Sequence, residues 1–257
     1  MLDNIFHCCV QKTGSQWIKA ILADKIIHKL TKLDIHTYQT SMPGGFDPRN
    51  LSERTFDTPF PLNTIISPLY INYENYRNIP RSDNHRTIFI MRDPRDIVIS
   101  WYYSVKYSHA LMGQIAEFRD RLNQLDLSEG MQFSIEYLDA FGVFEALRSW
   151  RQSVSDPKVL VVKYEDLIGR SGKDSFDRIF NHCQINLADK DLENLTTEYS
   201  FRSMSKREPG HEDRKSHMRK GISGDWKNNF PEDLKIFFKE KTGNLLEIID
   251  YESAEDW

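Results

Sequence analysis

Residues 5–10 read Ile-Phe-His-Cys-Cys-Val, a short apolar run, and the turn Gln-Lys-Thr-Gly-Ser follows at once. Trp17, Ile18, Ile21, Leu22, Ile26 and Leu30 then recur at helical spacing. A strand apolar on both faces belongs inside a parallel sheet, and parallel strands need a crossover to reach their neighbours. The same succession returns along the chain. Leu33 to Tyr38 reads as a second strand and Thr64 to Ile66 as a third, short one. Thr87 to Met91 is an apolar strand that enters a helix at Asp93-Pro94, with Ile97, Val98, Trp101 and Val105 on its buried face. Phe133 to Arg151 has the pattern of one amphipathic helix, and Val159 to Val162 that of a buried strand. Further helices are predicted over 172–183, 188–198 and 232–241. Residues 40–62, rich in proline and glycine, read as a long irregular loop that is functional or mobile. The alternation predicts an α/β class: three layers, α/β/α, around a central parallel sheet. There is no internal repeat, low-complexity tract or linker, so one domain over 1–257 is expected.

Charge and cysteine usage narrow the function. A net charge of -4 disfavours a general nucleic-acid binder, so any positive charge that matters is local. Cys8, Cys9 and Cys183 form an odd, sparse set with no zinc spacing. Cys8 and Cys9 point to opposite faces of a strand and do not bridge each other. The first residues carry no charged leader with a long apolar run, and no window approaches the roughly 18 apolar residues of a membrane span. The expectation is a cytoplasmic protein with no membrane contact.

Three separated segments are built for an anion. Residues 219–228, Arg-Lys-Gly-Ile-Ser-Gly-Asp-Trp-Lys-Asn, set glycines between cations, as a phosphate-wrapping loop requires and a solvated charge run does not. Lys12-Thr13-Gly14-Ser15-Gln16-Trp17 joins strand to helix, where free N–H groups and the helix dipole seat an anion. A capped helix with a solvated lysine fits that segment too. Lys precedes Gly here and the leading Gly is missing, which disfavours a nucleoside-triphosphate loop. The third segment, Arg92-Asp93-Pro94-Arg95-Asp96-Ile97-Val98-Ile99-Ser100, starts at the carboxyl end of a strand, where open α/β sheets bind ligands. Taken alone it reads equally well as a helix cap, with Asp93 and Asp96 serving the helix start.

Together the segments resemble the cytosolic-type sulfotransferases, which use 3'-phosphoadenosine 5'-phosphosulfate (PAPS) and release adenosine 3',5'-bisphosphate (PAP). The resemblance runs over essentially the whole chain and implies the P-loop-like sulfotransferase fold. It implies that Lys12, Thr13, Gly14, Ser15, Gln16 and Trp17 hold the 5'-phosphosulfate, although the family usually has Thr where this chain has Gln16. It implies Arg92 and Ser100, eight positions apart, as ligands of the 3'-phosphate, with Met218, Arg219, Lys220 and Gly221 closing over it. Tyr164, in Tyr-Glu-Asp, and Phe201, in Ser-Phe-x-x-Met, resemble the family's adenine contacts, with Trp17 flanking the base; ordinary core packing accounts for all three as well.

The implied reaction moves a sulfuryl group in line to a hydroxyl or amine of a small-molecule acceptor, with no metal. Lys12 would stabilise the bridging oxygen, and Ser100 would also restrain Lys12. The family's His before the middle strand is missing, because this region reads Thr64-Ile65-Ile66-Ser67-Pro68-Leu69-Tyr70. His36 is the expected base, from its place near the end of the second strand; His109 is expected to line the acceptor pocket and His7 to be packed. Residues 40–62, 67–76 and 102–116 are expected to shape that pocket, for a small secondary metabolite, a cationic one if the acidic balance matters. Two other readings stay open: a nucleotide kinase-like phosphotransferase, and a PAPS- or PAP-binding protein without catalysis. The family's dimer segment is not evident after Asn228, which points to a monomer.

Overall fold

The structure, a computed structural model, describes residues 1–254 and 257 of the chain. From the N-terminus the elements are β1 (Asn4–Cys9), α1 (Ser15–Leu22), α2 (Lys25–Thr31), β2 (Asp34–His36), β3 (Thr64–Tyr70), α3 (Tyr73–Arg77), β4 (His85–Met91) and α4 (Pro94–Tyr103). A π turn, Ser104–Ser108, continues α4. Then come α5 (Ile115–Gln124), α6 (Leu127–Ala140), α7 (Val143–Trp150), β5 (Val159–Lys163), α8 (Tyr164–Ile168), α9 (Gly172–His182), α10 (Asp189–Glu198), α11 (Phe201–Ser205), α12 (Glu232–Thr242) and α13 (Leu245–Ile248).

The five strands form one sheet in the order β2-β3-β1-β4-β5, parallel at every pairing. β1 lies in the middle and is buried along its whole length, as its unbroken apolar run requires. Phe6, Cys8 and Val10 face one core with α3, α4, α6, α7 and α12; Ile5 faces the other with α1, α2, α9 and α10. The result is the expected three-layer α/β/α architecture. Trp150 anchors the first core: it stacks on Phe89 at 4.3 Å and donates its indole N–H to the Ile71 carbonyl at 3.0 Å.

Several predicted elements are shorter, longer or divided. The first helix breaks at Ala23–Asp24, where the Asp24 carboxylate caps α2 by accepting from the Ile26 amide at 2.8 Å. The helix expected over 133–151 is two, because Gly142 takes φ 81 between α6 and α7. The second strand keeps only Asp34–His36 in the sheet, while the third runs on to Tyr70. The stretch 40–62 is pinned rather than loose. Buried Arg54 donates to the carbonyls of Asp47, Arg49 and Tyr70 and to the Tyr38 hydroxyl, with distances of 2.9–3.3 Å. It is thereby fastened to the end of β3.

Candidate functional site

The carboxyl ends of β1, β3, β4 and β5 lie along one rim of the sheet, and each delivers a side chain to it. β1 leads into Lys12, which sits at φ 67, and into Gly14 at φ 80, the residue before α1. Such dihedrals turn the chain sharply at the helix N-terminus, where amides lack intrahelical acceptors. The Thr13 hydroxyl donates to the Val10 carbonyl at 2.8 Å and braces the loop from within. Ser15 Oγ and the hydroxyl of Tyr70, at the end of β3, are 2.8 Å apart, and Gln16 Nε2 donates to the same hydroxyl at 3.4 Å. Burial first, then Cys9, pushes Tyr70 up to about 12, so it is a neutral partner.

β4 delivers Arg92. Its Nη1 donates to the Lys12 carbonyl at 2.6 Å, and its guanidinium carbon lies 4.5 Å from the centre of the Tyr164 ring at the end of β5. Tyr164 also touches the Lys12 loop: a Cβ on Gly14 would stand 2.9 Å from its ring. Trp17 meets Tyr164 edge-on at 6.0 Å and donates its indole N–H to the Tyr199 carbonyl at 2.7 Å.

The glycine-rich segment closes the site from above. Asp96 is buried and does more than serve its helix start, which corrects the sequence-based expectation. Its two oxygens accept the amides of Gly224, at 2.6 Å, and Trp226, at 3.0 Å. Burial lifts its pKa, against the pull of Arg92 and the two amides. The helix start is capped instead by Asp93, which accepts from the Arg95 amide at 2.9 Å. Ser100 and Tyr103 follow Asp96 at i+4 and i+7, on the same side of α4. Ser100 therefore stands one turn beyond the anchored loop, and Arg219 lies 4.5 Å above the Tyr103 ring. Arg219 and Lys220 pair with buried Asp225 at 2.5 and 2.6 Å, and Arg219 pairs again with Glu212. Burial works against the Asp225 carboxylate, but Lys220 and Arg219 outweigh it and hold its pKa low. Phe201 lies flat against Gly221, where a Cβ would come within 2.3 Å of the ring. Arg207 donates to the carbonyls of Met218 and Arg219 and shapes the segment before it.

The electrostatic centre is Lys12. Burial, Arg92 and Arg219 bring its pKa down to about 7, and it has no ion-pair partner among the described residues. Arg92 Nε is buried without an acceptor. Three cations from three distant segments thus converge; Lys12 and Arg92 form no ion pair among the described residues, and Arg92 feels Asp96 and Glu165 only at longer range. Such an arrangement fits a ligand with several negative charges.

Of the predicted site residues, Lys12, Thr13, Gly14, Ser15, Gln16, Trp17, Arg92 and Tyr164 lie at the strand ends, Ser100 lies on α4, and Met218, Arg219, Lys220 and Gly221 lie in the segment tied to α4 through Asp96, with Phe201 against Gly221. His36 stands at the sheet edge, with its ring edge-on to Phe60 at 5.6 Å and burial lowering its pKa. His7 is packed as expected: its Nδ1 lies 2.8 Å from Ser67 Oγ and burial pushes its pKa down to about 3. Asp96 and Asp225 were not foreseen as parts of the site, and Tyr70, expected only as part of the pocket-shaping stretch 67–76, also braces the Lys12 loop. Asp225 had a legible signal, since a carboxylate five and six residues from adjacent cations in a glycine-rich turn invites an ion pair; the bond between Tyr70 and Ser15 had none. The outer edge of β5 carries a cleft of about 380 Å³ lined by Trp150, Arg151, Val159, Lys163 and Asp250, which contains none of the three cations.

The chain is similar to known proteins over nearly its whole length. The family described as "Sulfotransferase domain" matches residues 2–249. Sulfotransferase 6B1 of Danio rerio is 25% identical over 239 residues, 90% of this chain and 74% of that protein. Flavonol 3-sulfotransferase of Flaveria bidentis is 24% identical over 254 residues, 90% of this chain and 78% of that one. Among solved structures, mouse sulfotransferase SULT7A1 complexed with PAP superposes with a TM-score of 0.59 at 20% identity, covering 97% of this chain and 89% of the other.

Proposed function

The chain belongs to the sulfotransferase family, and we propose that it transfers the sulfuryl group of PAPS to a small-molecule acceptor, gripping the nucleotide with Lys12, Arg92 and Arg219. The observation that carries this reading is the convergence of those cations, two of them forming no ion pair with a protein carboxylate and one with a buried N–H left without an acceptor. PAPS supplies an activated sulfuryl group and two phosphate-bearing positions. Backbone amides of residues 13–17 and Lys12 take the 5' side, at the α1 N-terminus. Arg92, Ser100, Arg219 and the Gly221 backbone take the 3'-phosphate, and Tyr164, Trp17 and Phe201 border the adenine. Lys12 neutralises the oxygen that gains charge as the sulfuryl group leaves, so its charge acts where the transition state differs from the ground state.

The acceptor side lies over the π turn. Phe46 closes on Gly113, where a Cβ would stand 2.6 Å from its ring, so loops 43–46 and 110–113 touch. Tyr107, Leu111 and Met112 are exposed around that contact, with 38%, 65% and 39% of their surface open. An apolar rim beside a cationic centre favours a hydroxyl-bearing apolar acceptor over the cationic one suggested by net charge. We further read the chain as one domain, a monomer acting in the cytoplasm. The kinase-like alternative is disfavoured by family membership and by the order of Lys12 and Gly14. The test is calorimetric titration with PAP, followed by a screen of hydroxyl and amine acceptors with sulfur-labelled PAPS. Micromolar or tighter PAP binding and a labelled product are expected. Failure of PAP to bind would overturn the reading; binding without any product would favour a non-catalytic nucleotide binder.

A further inference from the structure

The residue that removes the acceptor's proton has no family precedent in this chain, and the structure offers a candidate where α4 ends. The helix does not stop cleanly: it widens into the π turn Ser104–Ser108, a local distortion frequent at functional sites, and the chain leaves it at His109. The His109 amide donates to the Ser104 carbonyl at 2.7 Å, and Arg119 Nη2 donates to the His109 carbonyl at 2.5 Å. The backbone is thus held from both sides. The ring is oriented too. Its Nδ1 lies 3.0 Å from the Ala110 carbonyl, which can only accept, so the proton sits on Nδ1. In the neutral ring the lone pair is then on Nε2, the form a general base needs.

Position completes the case. On one side His109 is near enough to Lys12 for their charges to interact. On the other it borders the apolar rim of Tyr107, Leu111 and Met112. From above, residues 212–219 cross α4 with Arg214 and Arg219 over the Tyr103 ring, at 5.2 and 4.5 Å. They bring His217 into electrostatic range of both Lys12 and His109.

Resting on the sulfotransferase reading of this site, we infer that His109 is the general base of the transfer, its Nε2 taking the acceptor's hydroxyl proton. The acceptor oxygen bonds to sulfur as the bond from sulfur to the bridging phosphate oxygen breaks. The electron pair of that bond stays on the phosphate oxygen, beside Lys12. The products are the sulfated acceptor, PAP and an imidazolium that returns its proton to solvent; nothing is oxidised or reduced. The charged and titratable groups facing His109 are Lys12 on the β1 loop, Arg119 on α5 and His217 on the crossing segment. Burial, then Lys12 and Arg119, hold the ring neutral at rest against the opposing pull of the Ala110 carbonyl. A polyanionic nucleotide offsets those cations and lets the ring accept a proton during turnover. His36 lacks these features: its ring has no hydrogen bond or ion pair among the described residues, and burial alone shifts its pKa.

The test uses the full chain and the variants His109→Gln, His217→Gln and His36→Gln, with the acceptor found in the screen and a series of phenols of falling pKa. PAP affinity is measured first, by calorimetry. His109→Gln should bind PAP within about twofold of the parent protein yet lose about 100-fold or more in kcat, the scale of general-base catalysis. Its pH–rate profile should lose the rising limb, and its defect should shrink for phenols already ionised at the assay pH. A His109→Gln protein with parental rate and pH profile would overturn the assignment, as would a loss that falls on His36→Gln or His217→Gln instead. Absence of PAP binding by the parent protein would remove the sulfotransferase reading, and this inference with it.

Discussion

Arg92 donates from Nη1 to the carbonyl of Lys12 at 2.6 Å, across 80 positions of sequence. One cation therefore fixes the backbone that presents another, and two like charges are held together by a hydrogen bond rather than by a shared anion. Arg92→Ala should weaken PAP binding by roughly 10–100-fold, the worth of one or two charge-assisted hydrogen bonds. Arg92→Lys should recover only part of the loss, because a single ammonium cannot both reach the carbonyl and fork onto a phosphate. Calorimetric titration of the two variants checks both expectations.

Lys12 sits in the folded protein with its pKa brought from 10.5 to about 7. A group depressed in this way takes up its proton first in the unfolded chain, so it opposes folding below pH about 7 and the penalty fades as pH rises towards 10.5. Lys12→Met should therefore raise the melting temperature of the nucleotide-free protein, by about 2 °C or more at pH 6 and by little at pH 10. The same substitution should abolish sulfuryl transfer. Thermal melts at the two pH values, with and without PAP, check the sign.

Binding of a polyanion beside a half-neutral amine must pull a proton onto it. PAP titrations at pH 8, in buffers of different ionisation heat, should show uptake approaching one proton per site. The uptake should vanish in Lys12→Met and diminish at pH 6, where the amine is already charged. Proton release in place of uptake would contradict the placement of Lys12 in the nucleotide site.

Gly221 adopts φ 65 and has Phe201 where a side chain would begin, 2.3 Å from a built Cβ. Gly221→Ala should weaken PAP binding by roughly tenfold or more, through strain at a left-handed position and displacement of the ring. Removing the ring as well, in Gly221→Ala/Phe201→Ala, should not restore affinity fully, since the backbone strain remains. A Gly221→Ala protein with unchanged affinity would show that the segment does not need this close approach.

Asp96 is the tie between α4 and the glycine-rich segment. Asp96→Asn keeps at most one acceptor for two amides and loses the charge that attracts Arg92. It should cost about 1–3 kcal/mol in stability and a comparable share of nucleotide affinity, because a buried donor is left unpaired. Denaturant melts and PAP titration measure the two effects separately.

The layer architecture and the rim were legible in the sequence because the strands are short apolar runs and the turns bearing Lys12 and Arg92 follow two of them directly. β1, an apolar run expected to be a buried parallel strand, is buried along its whole length and lies in the middle of the sheet. Helix boundaries were less legible. The break at Asp24 and the one at Gly142 interrupt runs of correct apolar spacing, and only the cap or the positive φ reveals them. The cation cluster was legible residue by residue, but its buried anchors were not. Asp96 reads locally as a first-turn acid of α4, whereas its partners lie at Gly224 and Trp226. Arg54 reads as one charge in a polar stretch, and its burial depends on carbonyls of its own loop and of β3 that no local pattern announces. His109 was legible only as a wall of a pocket, because the backbone turn after Ser108 that sets its ring against the Ala110 carbonyl has no sequence signature.

The Asp96 carboxylate reaches its amide partners across 128 and 130 positions of chain. Contacts so distant in sequence form late, since a large loop must first be closed. A nascent or partly refolded chain with the sheet in place would still lack the canopy over the rim. Recovery of nucleotide affinity during refolding should therefore lag behind the return of secondary structure, and the ligand becomes a reporter of the final step of maturation.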